Sequence, residues 1–231
     1  MKKYGLGDDN FNVWIQNNDK KEICAVISEY YGGIQIYSKE YNLIADEIVD
    51  FIKSKDSNVV FGIKESLNKI KDLMPEYSIE LGTVGELSDI KVSPSDSVYS
   101  APIDEIAEIV EIVAQDENIG KPYGYELLYS QYCERKLSNF GRNFILRDQN
   151  DEIICHAGTY AEIPELAVIG GVITSTDYRG KGFAKTTLAS LCDQLQQEKK
   201  RIFSFFYILS AEKMHYSVGF EKIGDWMKLY K

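Results

Sequence analysis

A short glycine-containing loop between an apolar strand and an amphipathic helix constrains the fold of this chain more than any other feature. The strand is predicted at Leu166–Thr174, and Arg179-Gly180-Lys181-Gly182 leads into a helix with leucines on one face. Because glycine has no Cβ, the loop backbone can approach a ligand closely. The first helical turn leaves N–H groups without partners, and the helix dipole favours an anion there. The segment therefore predicts a cradle for a phosphate or pyrophosphate.

Two common phosphate-binding patterns do not fit this loop. A Walker A loop requires Ser or Thr after its lysine, whereas Gly182 follows Lys181. A dinucleotide fingerprint requires a third glycine where Lys185 stands, and the next acid, Asp193, falls inside the predicted helix. The loop is therefore a poor match to both classes.

A third pattern fits well. Arg179-x-x-Gly182-x-Ala184, preceded by Tyr178 and a strand, closely resembles the acyl-CoA loop of the GNAT superfamily of N-acetyltransferases. The resemblance covers roughly the last 130 residues, judged by the order of predicted elements. Within the superfamily, the chain most resembles glycine N-acyltransferase-like members, some of which carry an extra half.

A later segment supports the same resemblance. After the helix and a further strand, Ala211-x-x-Met214-x-x-x-x-Gly219-Phe220 is similar to the superfamily's late helix, which ends in a Gly-Phe turn. The element order around both motifs is the order that the resemblance requires.

The resemblance implies a binding site for acetyl-CoA and no metal ion. The strand residues that pair with the pantetheine arm would be Val172, Ile173 and Thr174. The residues whose loop N–H groups take the pyrophosphate would be Arg179, Gly180, Lys181, Gly182, Phe183 and Ala184, with Lys185 assisting a phosphate. An amine would attack the thioester directly, with both reactants held in the V between two splayed strands. A backbone N–H near Ile173 or Thr174 would polarise the carbonyl oxygen.

Two neighbouring residues compete for the role of general acid. The family often places a Tyr four residues before the glycine of the Gly-Phe pair, and that position here is His215, with Tyr216 next to it. A His is matched to neutral pH, whereas a phenol with a pKa of about 10 stays protonated until it is needed. Adjacent helix residues point about 100° apart, so one of the two should face the thiol. We favour Tyr216; the alternative is that both residues only cap and pack the helix.

The general base is left open. A Glu that some family members carry in the strand before the loop would fall near Val168, which cannot act as a base. Glu162, Glu165 and His156 are the neighbouring candidates, and each could instead be a solvated acid or a satisfied core imidazole. A water relay without a dedicated base is a further alternative. The basic run Lys199-Lys200-Arg201 fits a helix C-terminal cap, or a contact to the 3′-phosphate of CoA.

Composition narrows the classes of partner. The chain has 26 Lys and Arg against 36 Asp and Glu, a net charge of −10, which disfavours a nucleic-acid binder or a polybasic membrane anchor. No stretch approaches the roughly 18 apolar residues of a membrane helix, and no apolar run follows the N-terminal lysines as in a secretory signal. Scattered cysteines (Cys24, Cys133, Cys155, Cys192) indicate reduced thiols and a cytoplasmic location.

The order of predicted elements indicates an α/β (α+β) fold with a mixed central sheet, flanking helices and an additional N-terminal α/β domain. We predict an N-terminal domain at residues 1–95 and the acetyltransferase domain at 96–231. The first half reads strand, strand, strand, helix, strand, helix, strand, and the second half repeats this order from Asn143, a weak echo of a duplicated half-domain.

The spacing of apolar residues predicts further helices and strands. They are a helix through Leu67, Ile70 and Met74, a strand at Ile79–Leu81, a strand at Ile202–Leu209 and a closing strand pair within Phe220–Tyr230.

The function expected from the resemblance is acetyl transfer from acetyl-CoA to a small-molecule or peptide amine. The net charge weakly favours a cationic acceptor. A catalytically silent CoA-binding or sensing module and a purely structural or interaction protein are the alternatives. Whether the N-terminal half shapes the acceptor site or mediates a homodimer is left open.

Overall fold

The structure, a computed structural model, describes residues 11–117, 119–121 and 123–231. It divides into two compact units. The first contains the described residues up to Thr83 together with Gly224–Lys231, and the second contains Val84–Ile223. The predicted division into domains at residues 95 and 96 differs from these units and stays a prediction. The first ten residues, on which the expectation about a secretory signal rests, lie outside the described ranges.

The helices and strands follow in chain order. The strands are β1 Phe11–Asn17, β2 Ile23–Tyr30, β3 Gly33–Tyr37, β4 Val59–Ile63, β5 Ser78–Leu87, β6 Val98–Ser100, β7 Asn143–Arg147, β8 Ile153–Ile163, β9 Leu166–Thr174, β10 Arg201–Phe206 and β11 Phe220–Tyr230. The helices are α1 Ala45–Lys55, α2 Lys64–Leu67, α3 Ile106–Gln115, α4 Tyr125–Leu137, α5 Phe183–Gln197 and α6 Leu209–Val218.

The first unit is a mixed sheet with helix α1 packed against it. Strands β1, β2 and β3 form an antiparallel meander, α1 crosses over to β4, and β4 lies parallel to β3. The C-terminal part of β11 then pairs antiparallel with β4, from Trp226 opposite Ile63 to Tyr230 opposite Val59. The apolar stripe of α1 (Ile48, Val49, Ile52) is buried in a core shared with Ile34 and Val60, which holds this amphipathic helix against the sheet.

The second unit repeats this architecture. Strands β6, β7, β8 and β9 are joined antiparallel, and α5 crosses over to β10, which is parallel to β9. On one face the sheet packs against α5 through Ile169 and Leu188. On the other face, Ile145, Ile153 and Ile173 pack against α3 and α4. The sheet is therefore covered by helices on both faces, and this mixed fold confirms the predicted fold class.

The echo between the two halves is visible in the strand order. The series β1-β2-β3-α1-β4-α2-β5 matches β7-β8-β9-α5-β10-α6-β11 in element type and in the directions of the pairings that both show. In each unit, however, the strand beside the parallel pair comes from the other half of the sequence. Strand β11 lies next to β4, and β5 lies next to β10.

Several local expectations are wrong in their bounds. The stripe through Leu67, Ile70 and Met74 is not one helix, because α2 ends at Leu67 and a separate 3-10 turn follows at Lys71–Leu73. The strand predicted at Ile79–Leu81 extends to Leu87. The strand predicted to reach Leu209 ends at Phe206, where the chain turns into α6.

The expected closing strand pair is a single strand. Glycine is common in turns, yet Gly224 lies inside the continuous strand β11, and its φ is not positive. With an extended backbone at this position, the chain continues in one direction from Phe220 to Tyr230.

Candidate active site

Strands β9 and β10 separate part of the way along their length. Their parallel pairing runs from Leu166 opposite Arg201 to Ile169 opposite Ser204, while β9 continues to Thr174. The register of β9 against β8 shifts between Gly170 and Ile173, where β9 carries one extra residue. Gly171 lies in this bulge with φ +64°, a conformation that favours glycine. The bulge increases the local twist, and the edge of β9 beyond Ile169 is left without a strand partner.

The open edge of β9 exposes alternate backbone groups. Ser175 N–H donates to Ile154 O of β8. Ile173, two residues earlier, is in register with His156 of β8, so its backbone groups face the same strand. Successive residues of a strand point their backbone groups to opposite edges, so the groups of Val172 and Thr174 point away from β8. The sequence predicts that an amide near Ile173 or Thr174 donates to the thioester carbonyl oxygen. The Thr174 amide lies on the open edge, whereas the Ile173 amide is directed to β8.

The loop after β9 presents a row of amides at the start of α5. Gly180 and Gly182 have φ +78° and +91°, and Gly182 precedes the helix without any side-chain cap. Among the described residues, no acceptor is recorded for the N–H groups of positions 180–184, and the first turn of α5 contains no acid. A Cβ at Gly180 or Gly182 would meet no atom within 4 Å, so the backbone faces open space. This arrangement fits an anion such as a pyrophosphate.

Side chains of the loop hold its shape. Tyr178 Oη donates to Asp148 Oδ2 at 2.6 Å, and Arg179 Nε donates to Thr174 O at 3.0 Å. Lys181 Nζ donates to Asp177 O at 3.1 Å and lies over the Tyr178 ring. Arg179 thus ties the loop to the end of β9, Tyr178 ties it to the turn after β7, and Lys181 braces the loop internally.

His215 is buried and fully engaged. Its Nδ1–H donates to Ala211 O at 2.8 Å, its Nε2 accepts from Ser204 Oγ at 2.9 Å, and its ring stacks on Phe206. Burial lowers the pKa of His215 to about 4. The imidazole is therefore neutral at pH 7 and carries no proton that is free for transfer.

Tyr216 occupies a different environment one residue along α6. Its Oη donates to Glu212 Oε1 at 3.0 Å, and its ring meets Phe206 edge-on at 5.8 Å. Phe206 is the last residue of β10, beyond the point at which β10 and β9 separate. Tyr216 is half-buried and lies beside the diverging end of β10.

Glu162 is part of an ion-pair network. Arg142 donates to both of its carboxylate oxygens at 2.8 and 2.7 Å, Thr159 donates at 2.6 Å and Lys200 at 3.0 Å. Burial alone would raise the pKa of Glu162, but these donors outweigh it and hold the pKa below its usual value. Its carboxylate is satisfied as an ion, which is a poor state for accepting a substrate proton.

The other acids and bases named from the sequence lie at distinct places. Glu165 is in the turn between β8 and β9, at the opposite end of β9 from the loop. Val168 is within β9. Lys200 pairs with Glu162 and Glu198, while Arg201 makes two hydrogen bonds to Glu86.

His156 supports the bulge in β9. It is fully buried, and its Nδ1–H donates to Gly171 O at 2.6 Å, while Nε2 lies 2.9 Å from Asn143 Oδ1. Burial, reinforced by the charge of Arg135, lowers the pKa of His156 to about 4. A neutral His156 thus positions the backbone at the point where the two strands separate.

Sequence reasoning missed a cluster on the same stretch of β9. The Tyr160 ring packs against Gly170, and Tyr132 Oη would be 2.6 Å from a Cβ on Gly171. The Arg135 guanidinium lies 4.9 Å from the Tyr132 ring centroid and 5.2 Å from that of Tyr160. The spacing of Tyr132 and Arg135 places them on one face of α4, but no sequence signal connects them with β9.

The described connection from β3 to α1 in the first unit does not form an equivalent cradle. The connection from β3 to α1 contains no glycine, and the first turn of α1 carries Asp46 and Glu47. Gln16 accepts from Ile44 N at 2.9 Å and donates to Ile44 O at 3.0 Å and to Glu47. Strands β3 and β4 stay paired to within one residue of their ends, so they do not separate. This helix terminus is therefore filled and acidic.

The described ranges show neither a cluster of metal ligands nor a membrane-spanning helix. No group of three or more His, Cys, Asp or Glu residues there is placed to hold a metal ion. None of the helices found in those ranges has the length and apolar character needed to cross a bilayer.

Comparisons with known proteins give a family and a fold. Residues 106–220 match the model of the Acetyltransferase (GNAT) family. No curated protein matches by sequence.

Solved structures with the same fold are distant in sequence. A GNAT-family protein from Novosphingobium aromaticivorans is 17% identical with a TM-score of 0.54, over 66% of this chain and 64% of that one, less than two thirds of its length. A GCN5-related N-acetyltransferase from Sphaerobacter thermophilus is 15% identical with a TM-score of 0.68, over 100% and 83% of the two chains. A tandem GNAT protein from the clavulanic acid biosynthesis pathway is 11% identical with a TM-score of 0.62, over 96% and 82%. The separated strands, the loop of free amides and the family match agree, and residues 106–220 form a GNAT acetyltransferase domain.

Proposed function

We propose that this protein is an acyl-CoA-dependent N-acetyltransferase, which transfers an acetyl group from acetyl-CoA to an amine by direct attack. The observation that carries the proposal is the row of free amides at positions 180–184 beside the open edge of β9. A pyrophosphate on the helix N-terminus places an extended pantetheine arm along that edge, next to Val172 and Thr174. Lys185 and Lys181 supply positive charge near the phosphates.

The protein's own contribution to the reaction is mainly geometric. Acetyl-CoA supplies a thioester to which an amine adds. The gap between β9 and β10 holds both reactants in contact, which makes the attack effectively unimolecular. The Thr174 or Val172 amide on the open edge donates to the thioester oxygen. Tyr216 gives a proton to the departing thiolate, a role that the neutral, engaged His215 does not fill.

For the route of the amine proton and for the acceptor, we propose a chemical class rather than a particular residue or molecule. Since Glu162 is held in ion pairs, the proton of the attacking amine leaves through water rather than to that carboxylate. The net charge of −10 favours an acceptor that carries an ammonium group. We also propose that the protein is cytoplasmic, that it belongs with glycine N-acyltransferase-like proteins and that it forms a homodimer.

A catalytically silent CoA-binding module is the second candidate. It is favoured by Val168 at the position of the family's Glu and by the occupied state of His215. Both candidates predict that CoA binds at the loop, and they differ in turnover.

One experiment separates the two candidates. Acetyl-CoA is titrated calorimetrically, and release of free thiol is followed with a panel of small-molecule and peptide amines. Binding with amine-dependent thiol release supports the transferase. Binding without release on any amine supports the silent module, and absence of binding contradicts both.

A further inference from the structure

Arg135 differs from the other arginines of the chain. The sequence has five, all within the described ranges, and four of them contact carboxylates: Arg142 with Glu162, Arg147 with Glu105, Arg179 with Asp116 and Arg201 with Glu86. Arg135 is 8% exposed, and no described carboxylate lies within 4.0 Å of its guanidinium. In a chain with 36 acidic residues, this is not for lack of acids. A buried charge without a counter-charge is costly, and cation–π contacts compensate only part of that cost.

The hydroxyl group of Tyr132, beside Arg135, has no hydrogen-bond partner among the described residues. Tyr132 is 3% exposed, and its Oη forms no hydrogen bond within the described structure. Buried hydroxyl groups are normally hydrogen-bonded, so a hydroxyl without a partner next to a guanidinium without a carboxylate indicates a missing acceptor. The two groups are side by side, because the Arg135 guanidinium lies over the Tyr132 ring.

The position of this pair connects it with the proposed reaction. Tyr132 Oη lies against Gly171, and the Tyr160 ring lies against Gly170, the two residues after the last pairing of β9 with β10. The Arg135 guanidinium also lies over the Tyr160 ring, and Tyr160 is itself 41% exposed. Of the three side chains, Tyr160 is the one that reaches the protein surface, since Arg135 is 8% and Tyr132 3% exposed.

We propose that Arg135 and Tyr132, beside the exposed Tyr160, bind a carboxylate carried by one of the two reactants. A carboxylate accepts from a guanidinium fork and from a phenol at once, which satisfies both groups. The carboxylate comes either from the amine acceptor or from the far end of the acyl group. This inference rests on the proposed function for the identity of the reactants, but the binding site does not depend on turnover.

The test uses matched reactant pairs on the full-length chain. For the acceptor, alanine is compared with alaninamide; for the donor, succinyl-CoA is compared with butyryl-CoA. We expect the carboxylate member of one pair to be preferred. In Arg135→Gln its KM should rise about 10- to 100-fold, the effect of losing hydrogen bonds to a charged group. Arg147→Gln, which removes an arginine with protein partners, should keep the preference. If neither pair shows a preference for the carboxylate, the proposal is overturned.

A second variant, Tyr132→Phe, tests the proposal even if Arg135→Gln fails to fold. Tyr132→Phe removes only a hydroxyl without a partner, so its melting temperature should not fall, while the carboxylate preference should decrease. If both variants are folded and the preference for the carboxylate is unchanged in each, the proposal is contradicted.

Equilibrium binding keeps the inference separate from the proposed function. If no amine is acetylated, N-acetylalanine against N-acetylalaninamide and succinyl-CoA against butyryl-CoA are compared by calorimetry. A carboxylate preference that Arg135→Gln abolishes supports the site although the transferase proposal has failed. No preference in these titrations rejects the site.

Discussion

Replacement of Gly182 by alanine tests the anion cradle most directly. Gly182 has φ +91° and Gly32, in the first unit, has φ +79°, and a Cβ at either position meets no atom within 4 Å. An alanine in this left-handed region costs about 1–2 kcal/mol at each site. Both variants should therefore lose similar stability, about 2–4 °C in melting temperature per kcal/mol for a chain of this size. Gly32→Ala is thus a matched control for backbone strain.

Only Gly182→Ala should also weaken CoA binding. A methyl group on the loop prevents the closest approach of the pyrophosphate and removes one hydrogen bond from an amide to a charged group, about 1.5–3 kcal/mol. That loss corresponds to a Kd roughly 10- to 100-fold higher. Calorimetric titration with CoA measures it, and the melting shift with saturating CoA checks it. Equal CoA affinity in Gly182→Ala, Gly32→Ala and the unaltered protein would refute the assignment of the cradle.

Three further outcomes follow from the described side chains. Tyr216→Phe should lower kcat by about 10²- to 10⁴-fold with little change in CoA affinity, whereas His215→Gln should keep kcat within a few fold; the reverse pattern would identify His215 as the acid. Burial lowers the pKa of His156 and His215 to about 4 in the folded chain, so the unfolded chain binds more protons below its own pKa of about 6.5. The contribution of the two histidines to the free energy of unfolding should be fully present above pH 6.5 and should fall towards pH 4 by up to about 3 kcal/mol per histidine. Urea midpoints at pH 7 and 4.5 measure this fall, and equal midpoints at the two pH values would contradict the buried neutral state. Because the equivalent helix terminus of the first unit is filled by Gln16, calorimetry should find one CoA per chain, and two would show that the first unit also binds.

Much of the fold could be read from short-range patterns. Strand β9 has the predicted bounds, and α5 forms where leucines recur on one helical face after the loop. The loop from Arg179 to Gly182 was recognisable because the features that define an anion cradle, glycine and a helix start, are local in sequence. The extents of β5 and β11 were not predictable, since their partners β10 and β4 come from the other half of the chain.

The candidate site shows the same division. Motif spacing pointed to His215 and residue type to Tyr216, and only packing shows that Ser204 and Ala211 occupy both nitrogens of His215. Glu162 was a candidate base by position, and Arg142, 20 residues away in sequence, occupies its carboxylate.

The sequence by itself determined the strand–loop–helix segment and the class of ligand that it can take, because backbone amides and glycine conformations are properties of a few consecutive residues. Tertiary structure alone decided which side chains surround Gly170 and Gly171. Arg135 and Tyr132 come from α4 and Tyr160 from β8. The burial of Arg135 and Tyr132, the missing hydrogen-bond partner of Tyr132 and the closeness of all three side chains arise only when helix and sheet pack together. Desolvation and charge pairing depend on such long-range contacts, so the chemistry of these side chains is set by the fold rather than by their spacing.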